Sequence, residues 1–137
     1  MLDNRTTSAI DLALQKHDTP AGPLFVVQLH GRRKKCFSRS GAISRLAHFM
    51  VQHVFDKHKI PTHQVGDEKE IAGIVLFSRG ELTMNYLKAH YRAERRIRHI
   101  LARKREMKKW CEKWDAMHDR YIKERDELQA TKPEGIQ

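Results

Sequence analysis

Two dense clusters of basic side chains have the composition needed to bind negatively charged partners. Residues 30–45 hold six lysine or arginine residues and no acidic residue, and residues 92–109 hold nine against two acidic ones. Such clusters favour phosphate backbones, anionic lipid or an acidic protein surface, and charge alone does not choose among these. The candidate residues for nucleic-acid or acidic-surface binding are Arg32, Arg33, Lys34, Lys35, Arg92, Arg95, Arg96, Arg98, Arg103, Lys104, Arg105, Lys108 and Lys109.

A second group of side chains could bind a protein. Trp110 and Trp114 follow the second basic cluster one helical turn apart, and tryptophan is enriched at binding hot spots. The two indoles could equally cover the protein's own core, support self-association or stack on bases. The candidate partner-docking residues are Met107, Trp110, Trp114, Met117 and Tyr121.

Sequence patterns for catalysis and metal binding are missing. His48, His53, His58 and His63 are spaced by five, which spreads them around a helix, and no Cys-x-x-Cys or His-Glu-x-x-His motif occurs. The sequence also lacks a phosphate-binding glycine loop and a Gly-x-Ser-x-Gly motif. We therefore expect a protein that is not an enzyme, with no catalytic residue, no metal ion and no cofactor.

One long helix over residues 78–130 is expected to position most of these side chains. This range contains no proline, and its only glycine is Gly80. Ser78 and Glu81 fit a capping box, in which each side chain satisfies a free amide at the helix start, and Thr83 is an alternative cap.

Apolar residues recur every seventh position along this predicted helix, which suits packing against a second helix. The repeat consists of Ala93, Ile100, Met107, Trp114, Tyr121 and Leu128. Lys104, His118 and Arg125 interrupt the apolar seam. The pattern leaves open an imperfect coiled coil in a homodimer, docking into a partner groove, and a solvated helix stabilised by its own ion pairs.

The residues before the long helix predict a small α+β head. Residues 24–29 and 34–37 predict two strands joined by a turn at Gly31, with a basic tip, and Ser38 or Ser40 would cap a helix over 40–58. The apolar residues of this helix recur at spacings of three and four, so we expect it to cover one face of the sheet. The residues at these spacings are Ile43, Leu46, Ala47, Met50 and Val54, and Phe49, Val51 and Phe55 widen the apolar face.

The remaining segments complete the expected organisation. Residues 61–70 predict an exposed loop, and the apolar run 71–77 favours a third strand over the first turns of the long helix. A short helix at 5–17 and a linker or turn at 18–23 precede the head. The expected domains are thus an N-terminal helix and linker at 1–23, the head at 24–77, the long helix at 78–130 and a frayed tail at 131–137.

Composition fits a small domain with an extended element. Of 137 residues, 39% are hydrophobic and 32% are charged, and the net charge is +10. No stretch approaches 18 consecutive apolar residues, and the N-terminus lacks the pattern of a signal peptide, so we expect a soluble, cytoplasmic protein without a membrane partner. Cys36 and Cys111 have no paired spacing, which favours free thiols.

Residues 25–55 carry a resemblance to a known class of proteins. The run from Phe25 to Ser38 and the run from Ala42 to Met50 resemble small accessory proteins of temperate enteric phages and prophages, of the recombination or anti-host-defence type. The resemblance implies a non-enzymatic, phage-encoded protein that alters a host nuclease or helicase complex by binding it. It includes no catalytic motif and does not extend to the long helix.

Together with this resemblance, the sequence favours an interaction protein that binds and, as the resemblance implies, modulates or inhibits a host nucleic-acid-processing complex. The first alternative is direct, sequence-independent binding of DNA or RNA. The second is a structural dimer formed through a coiled coil.

Overall fold

The computed structural model describes residues 8–135, which form an α+β fold of five strands and three helices. The described residues up to Ile100 form one compact unit, and residues from Leu101 onwards contribute to a second. The predicted fold class, a small sheet and helix head followed by a long charged helix, is confirmed. Among residues 8–135, no helix combines the length and apolar character needed to cross a membrane.

The first sheet has three antiparallel strands in the order β1 (Leu14–Thr19), β2 (Gly22–Leu29) and β3 (Arg32–Cys36). His30 and Gly31 join β2 to β3 with φ angles of 52° and 76°. Two consecutive positive φ angles are those of a turn whose twist matches the strands that it joins. The predicted hairpin with its turn at Gly31 is confirmed.

The helix predicted at 5–17 is largely wrong. Helix α1 covers only Ala9–Ala13, and Leu14 begins strand β1. The backbone of β1 pairs with that of β2, with Leu14 opposite Val27. The local sequence of residues 14–19 does not indicate this pairing, so the prediction missed the strand. Within the predicted linker, Pro20 and Ala21 form the turn while their neighbours on both sides are paired strand residues. Residues 5–7 of the prediction lie outside the described residues.

Helix α2 (Arg39–Lys57) provides most of the core, as its spacing predicted. The backbone N–H of Gly41 donates to Ser38 Oγ at 3.0 Å, which identifies Ser38 as the N-cap. The helix packs on β2, whose Val26 and Val27 are buried. Its buried residues are Ala42, Ile43, Leu46, Ala47, Phe49, Val51 and Phe55, whereas Val54, predicted for the same face, is half exposed.

Strands β4 (His63–Ile71) and β5 (Ile74–Leu82) form a separate two-stranded sheet. The loop predicted at 61–70 is therefore wrong: β5 supplies backbone partners, and an exposed strand tolerates the acidic residues of β4. The strand predicted at 71–77 exists but begins at Ile74, after a turn at Ala72 and Gly73. It pairs with β4 and not with the first sheet.

Strand β5 does not contribute its apolar run to the core, contrary to the expected layering. Its residues Ile74, Val75, Leu76 and Phe77 are 48–63% exposed. Because successive strand side chains point to opposite faces, four consecutive apolar residues place apolar surface on both faces of this hairpin.

Helix α3 runs from Met84 to Ala130, so its predicted C-terminal end is confirmed and its predicted start is wrong. Ser78, Gly80 and Glu81 lie in β5, where pairing with β4 replaces the predicted capping box. The alternative cap is used instead: the backbone N–H of Tyr86 donates to Thr83 Oγ1 at 3.2 Å. The long helix consequently begins at Met84 and not at Ser78.

We predict that Ser38→Ala lowers the free energy of unfolding by about 1 kcal/mol, because the Gly41 amide loses its acceptor. Urea unfolding followed by circular dichroism measures the change. Ser40→Ala, in the exposed first turn of the same helix, is the matched control and should change the value by less than about 0.5 kcal/mol. Equal losses in the two variants would contradict the assignment of the cap.

Candidate functional sites

The five predicted docking residues occupy one side of α3 within the second unit. Spacings of three and four place side chains on the same helix face. All five are large and lie between 48% and 61% exposed. We call this set, Met107, Trp110, Trp114, Met117 and Tyr121, the docking stripe.

The two indoles of the docking stripe support each other. The rings of Trp110 and Trp114 stack with centroids 5.5 Å apart and an angle of 16° between their planes. Stacking places the rings side by side along the helix while leaving each about half exposed. The pair therefore presents a preformed aromatic surface, which reduces the conformational entropy that binding would cost.

The predicted basic residues of the hairpin do not form a basic tip. The turn itself is His30 and Gly31, and the basic residues follow it along β3. Arg32 is partly covered and its guanidinium forms an ion pair with Asp56 at 3.0 Å. Arg33, Lys34 and Lys35 are exposed, with Arg33 and Lys35 on the face opposite Lys34 because strand side chains alternate.

The predicted basic residues of α3 lie along its length and not on a single face. Arg92, Arg95, Arg96 and Arg98 fall in the first unit, and the members from Arg103 to Lys109 fall in the second. All are exposed except Lys104, which is partly covered. The Arg95 guanidinium lies 5.7 Å from the centre of the Tyr91 ring, a cation–π contact on the helix surface.

The structure also contains a polar cleft that the sequence did not predict. It has a volume of about 510 Å³ and lies between one face of α2 and the start of α3, within the first unit. We call it the α2–α3 cleft. Its lining residues are Gly41, Ser44, Arg45, His48, Leu82, Tyr86, Leu87 and His90.

Hydrogen bonds link the two walls of the α2–α3 cleft. His48 Nδ1 and Tyr86 Oη are 2.5 Å apart, and His90 Nε2 lies 3.0 Å from the carbonyl oxygen of Ser44. A carbonyl only accepts, so the proton of that bond is on His90 Nε2. His90 Nδ1 is 3.6 Å from Glu94, which leaves both ring nitrogens of His90 next to a partner.

The electrostatic environment of the cleft keeps His48 neutral and Tyr86 protonated. Burial, followed by the charges of Arg45, Arg32, His90 and His63, lowers the pKa of His48. Burial raises the pKa of Tyr86, which Arg45 opposes and Glu94 reinforces. We assign the protonated phenol as the donor and His48 Nδ1 as the acceptor, an assignment that puts the single imidazole proton of His48 on Nε2.

The sequence contained part of the signal for this cleft. Gly41, Ser44, Arg45 and His48 follow the spacing of three and four that places residues on one helix face. Tyr86 and His90 show the same spacing on α3. What the sequence does not indicate is that these two faces meet, since His48 and Tyr86 are 38 residues apart.

The comparisons with known proteins do not identify the chain. No family model, curated protein or solved structure matches it. Within residues 8–135, no three histidine, cysteine or acidic side chains converge as ligands of a metal ion would.

We predict that the environment of His48 makes folding less stable in mild acid. The unfolded chain binds a proton at the ordinary pKa of 6.5, whereas the folded chain binds it only at lower pH. The free energy of unfolding therefore falls as pH decreases from 6.5 through the lowered pKa of the folded state.

His48→Gln removes this contribution while keeping an acceptor for the Tyr86 hydroxyl. Urea unfolding at about pH 7.5 and about pH 5.5 should therefore show a smaller acid-induced loss in the variant than in the wild type. An identical loss in both proteins would contradict the role assigned to His48.

Proposed function

We propose that this chain is a non-enzymatic interaction protein that docks through the docking stripe onto a host nucleic-acid-processing complex of the nuclease or helicase type, and modulates or inhibits it. The proposal rests on the docking stripe, which has five large side chains on one helix face. Each is about half exposed, and two of them are stacked tryptophans. Surfaces of this kind are typical of protein interaction sites.

The exposed apolar surface of the docking stripe supplies only part of the free energy that docking needs. Full burial of one large apolar side chain contributes about 1.5–3 kcal/mol, so burying the exposed half of each contributes about 1 kcal/mol. Five such side chains contribute about 5 kcal/mol before the cost of association is subtracted. Because association itself costs about 4–15 kcal/mol, the docking stripe needs further contacts to give a stable complex, and the neighbouring charges can supply them.

The charges next to the docking stripe favour a partner groove with an acidic rim. Five basic residues lie within the seven positions from Arg103 to Lys109 that surround Met107, and only Glu106 opposes them. Charge complementarity of this kind speeds association and excludes basic partners. The resemblance of residues 25–55 to phage accessory proteins supports placing the partner in the host machinery that processes nucleic acid.

Replacing both tryptophans is expected to abolish docking. Tagged full-length protein is incubated with nuclease-treated bacterial lysate, and the captured proteins are quantified by mass spectrometry. We predict that wild type captures a nuclease or helicase subunit, and that Trp110→Ala with Trp114→Ala reduces this capture at least about tenfold, the change that corresponds to losing about 1.4 kcal/mol.

Two tyrosines of α3 provide a matched pair for the same experiment. Tyr121 belongs to the docking stripe and Tyr91 does not, yet both are 61% exposed. Tyr121→Ala should weaken capture and Tyr91→Ala should not. The proposal is overturned if the two variants behave alike, or if no protein of nucleic-acid metabolism is captured in a tryptophan-dependent manner.

Direct binding of DNA or RNA is a second candidate function, favoured by the exposed basic side chains of β3. Arg33, Lys34 and Lys35 are exposed on a strand at the edge of its sheet, and no carboxylate within residues 8–135 forms an ion pair with them. Such side chains can follow a phosphate backbone without reading its sequence.

If these side chains contact phosphates, replacing all three by glutamine should flatten the salt dependence of binding. On duplex DNA, the slope of log K against log salt should decrease by about 0.9 for each phosphate that the variant no longer neutralises. Fluorescence anisotropy at several salt concentrations measures the slope, and Arg120→Gln in α3 is the single-charge control. An unchanged slope in the triple variant would exclude β3 as the binding surface.

A further inference from the structure

The α2–α3 cleft contains two hydrogen-bond donors whose capacity the protein does not use. Within residues 8–135, no carboxylate forms an ion pair with Arg45, although this guanidinium lines the cleft. With the Tyr86 hydroxyl assigned as the donor to His48 Nδ1, the Nε2–H of His48 has no assigned acceptor. His90 is different, because the Ser44 carbonyl and Glu94 already lie beside its two nitrogens.

The charged groups around His48 are predominantly positive. Arg45 on α2, Arg32 on β3, His63 on β4 and His90 on α3 each act to disfavour a further positive charge on His48. A bound anion would reverse that effect and gain from the two guanidiniums. Glu94 is the acidic side chain at this end of α3, and its carboxylate lies 3.6 Å from His90 Nδ1.

We propose that the α2–α3 cleft binds a phosphate group, with the Arg45 guanidinium and the His48 imidazole as its donors. A guanidinium offers two parallel N–H groups that match two phosphate oxygens. The imidazole N–H can donate to the third terminal oxygen of a phosphate monoester, or share one of the two terminal oxygens of a phosphodiester. Tyr86 is a positioning residue in this site, because its hydrogen bond to Nδ1 determines which nitrogen of His48 carries the proton.

The dimensions and walls of the cleft indicate that the phosphate belongs to a larger molecule. The volume of about 510 Å³ lies within the roughly 300–1,000 Å³ range of small-molecule sites and exceeds the need of a single inorganic ion. Leu82 and Leu87 provide apolar wall beside the polar groups. We infer that the ligand has an organic group next to its phosphate, as an organic monophosphate or a nucleic-acid strand has.

This site goes beyond the proposed docking function and does not depend on it. None of its residues belongs to the docking stripe or to the exposed basic residues of β3. Loss of phosphate binding would therefore leave the tryptophan-dependent capture of a protein unchanged, and the reverse also holds.

The test follows the imidazole of His48 by NMR in the full-length chain, with its signal assigned through His48→Gln. Phenyl phosphate and a single-stranded oligonucleotide of eight thymidine nucleotides are titrated separately. The two titrations distinguish a small organic phosphate from a phosphodiester backbone. Saturable movement of the His48 signal with either probe is the expected result. We expect Arg45→Gln to weaken that binding at least about tenfold, since the variant cannot form the charge-assisted bidentate interaction.

Two further variants make the result specific to this cleft. Arg79→Gln removes an exposed arginine on β5 and should leave both titrations unchanged. Arg45→Lys keeps the charge but loses the planar pair of donors, so its affinity should fall between those of wild type and Arg45→Gln. Arg45 is exposed and glutamine is a good helix former, so circular dichroism should show an intact fold.

Response to phenyl phosphate would identify a small organic phosphate as the ligand class, and response to the oligonucleotide alone would identify a nucleic-acid backbone. Both outcomes support the site if they depend on Arg45. The proposal is overturned if the His48 signal responds to neither probe, or if Arg45→Gln and Arg79→Gln weaken binding equally.

Discussion

The burial of one face of α2 is the constraint on which the first unit depends. Ile43 and Leu46 on this helix are almost fully inaccessible to solvent, as is Val27 on the strand beneath them. Another part of the helix contributes Val51 to a cluster with Tyr86 of α3. Because α2 packs on the sheet and also contacts α3, a loss of packing at α2 would loosen both layers together.

The same helix explains why a polar cleft forms beside a closed core. A helix that buries a wide apolar face against a sheet still has a neighbouring face, and on α2 that face carries Ser44, Arg45 and His48. Tyr86 belongs to both environments: its ring packs edge-on to Phe55 at 6.1 Å, while its hydroxyl reaches His48. The apolar contact thus positions the phenol that orients the imidazole.

The sequence predicted the elements whose signal is local and missed those that depend on a distant partner. The periodicity of α2 and the absence of breakers in α3 were sufficient, and so was Gly31 for the first hairpin. The polar sequence of β4 resembles that of a loop, and the residues around Ser78 resemble a helix start. Both segments are strands instead, because β4 and β5 pair with each other. That Met107, Trp114 and Tyr121 share one face of α3 followed from their heptad spacing, whereas the cleft required knowing that α2 faces α3.

The charges beside the docking stripe bear on whether it meets a copy of itself or a different protein. In a parallel coiled coil, residues that flank the seam face residues five positions further along the second helix. If the docking stripe formed the seam, this register would place Arg120 opposite Arg125, with no carboxylate in the pair. Like charges at this position disfavour a parallel homodimer, while basic residues beside the stripe complement an acidic rim. The pair therefore counts against a parallel coiled coil with the docking stripe as its seam, and it agrees with the proposed groove in another protein.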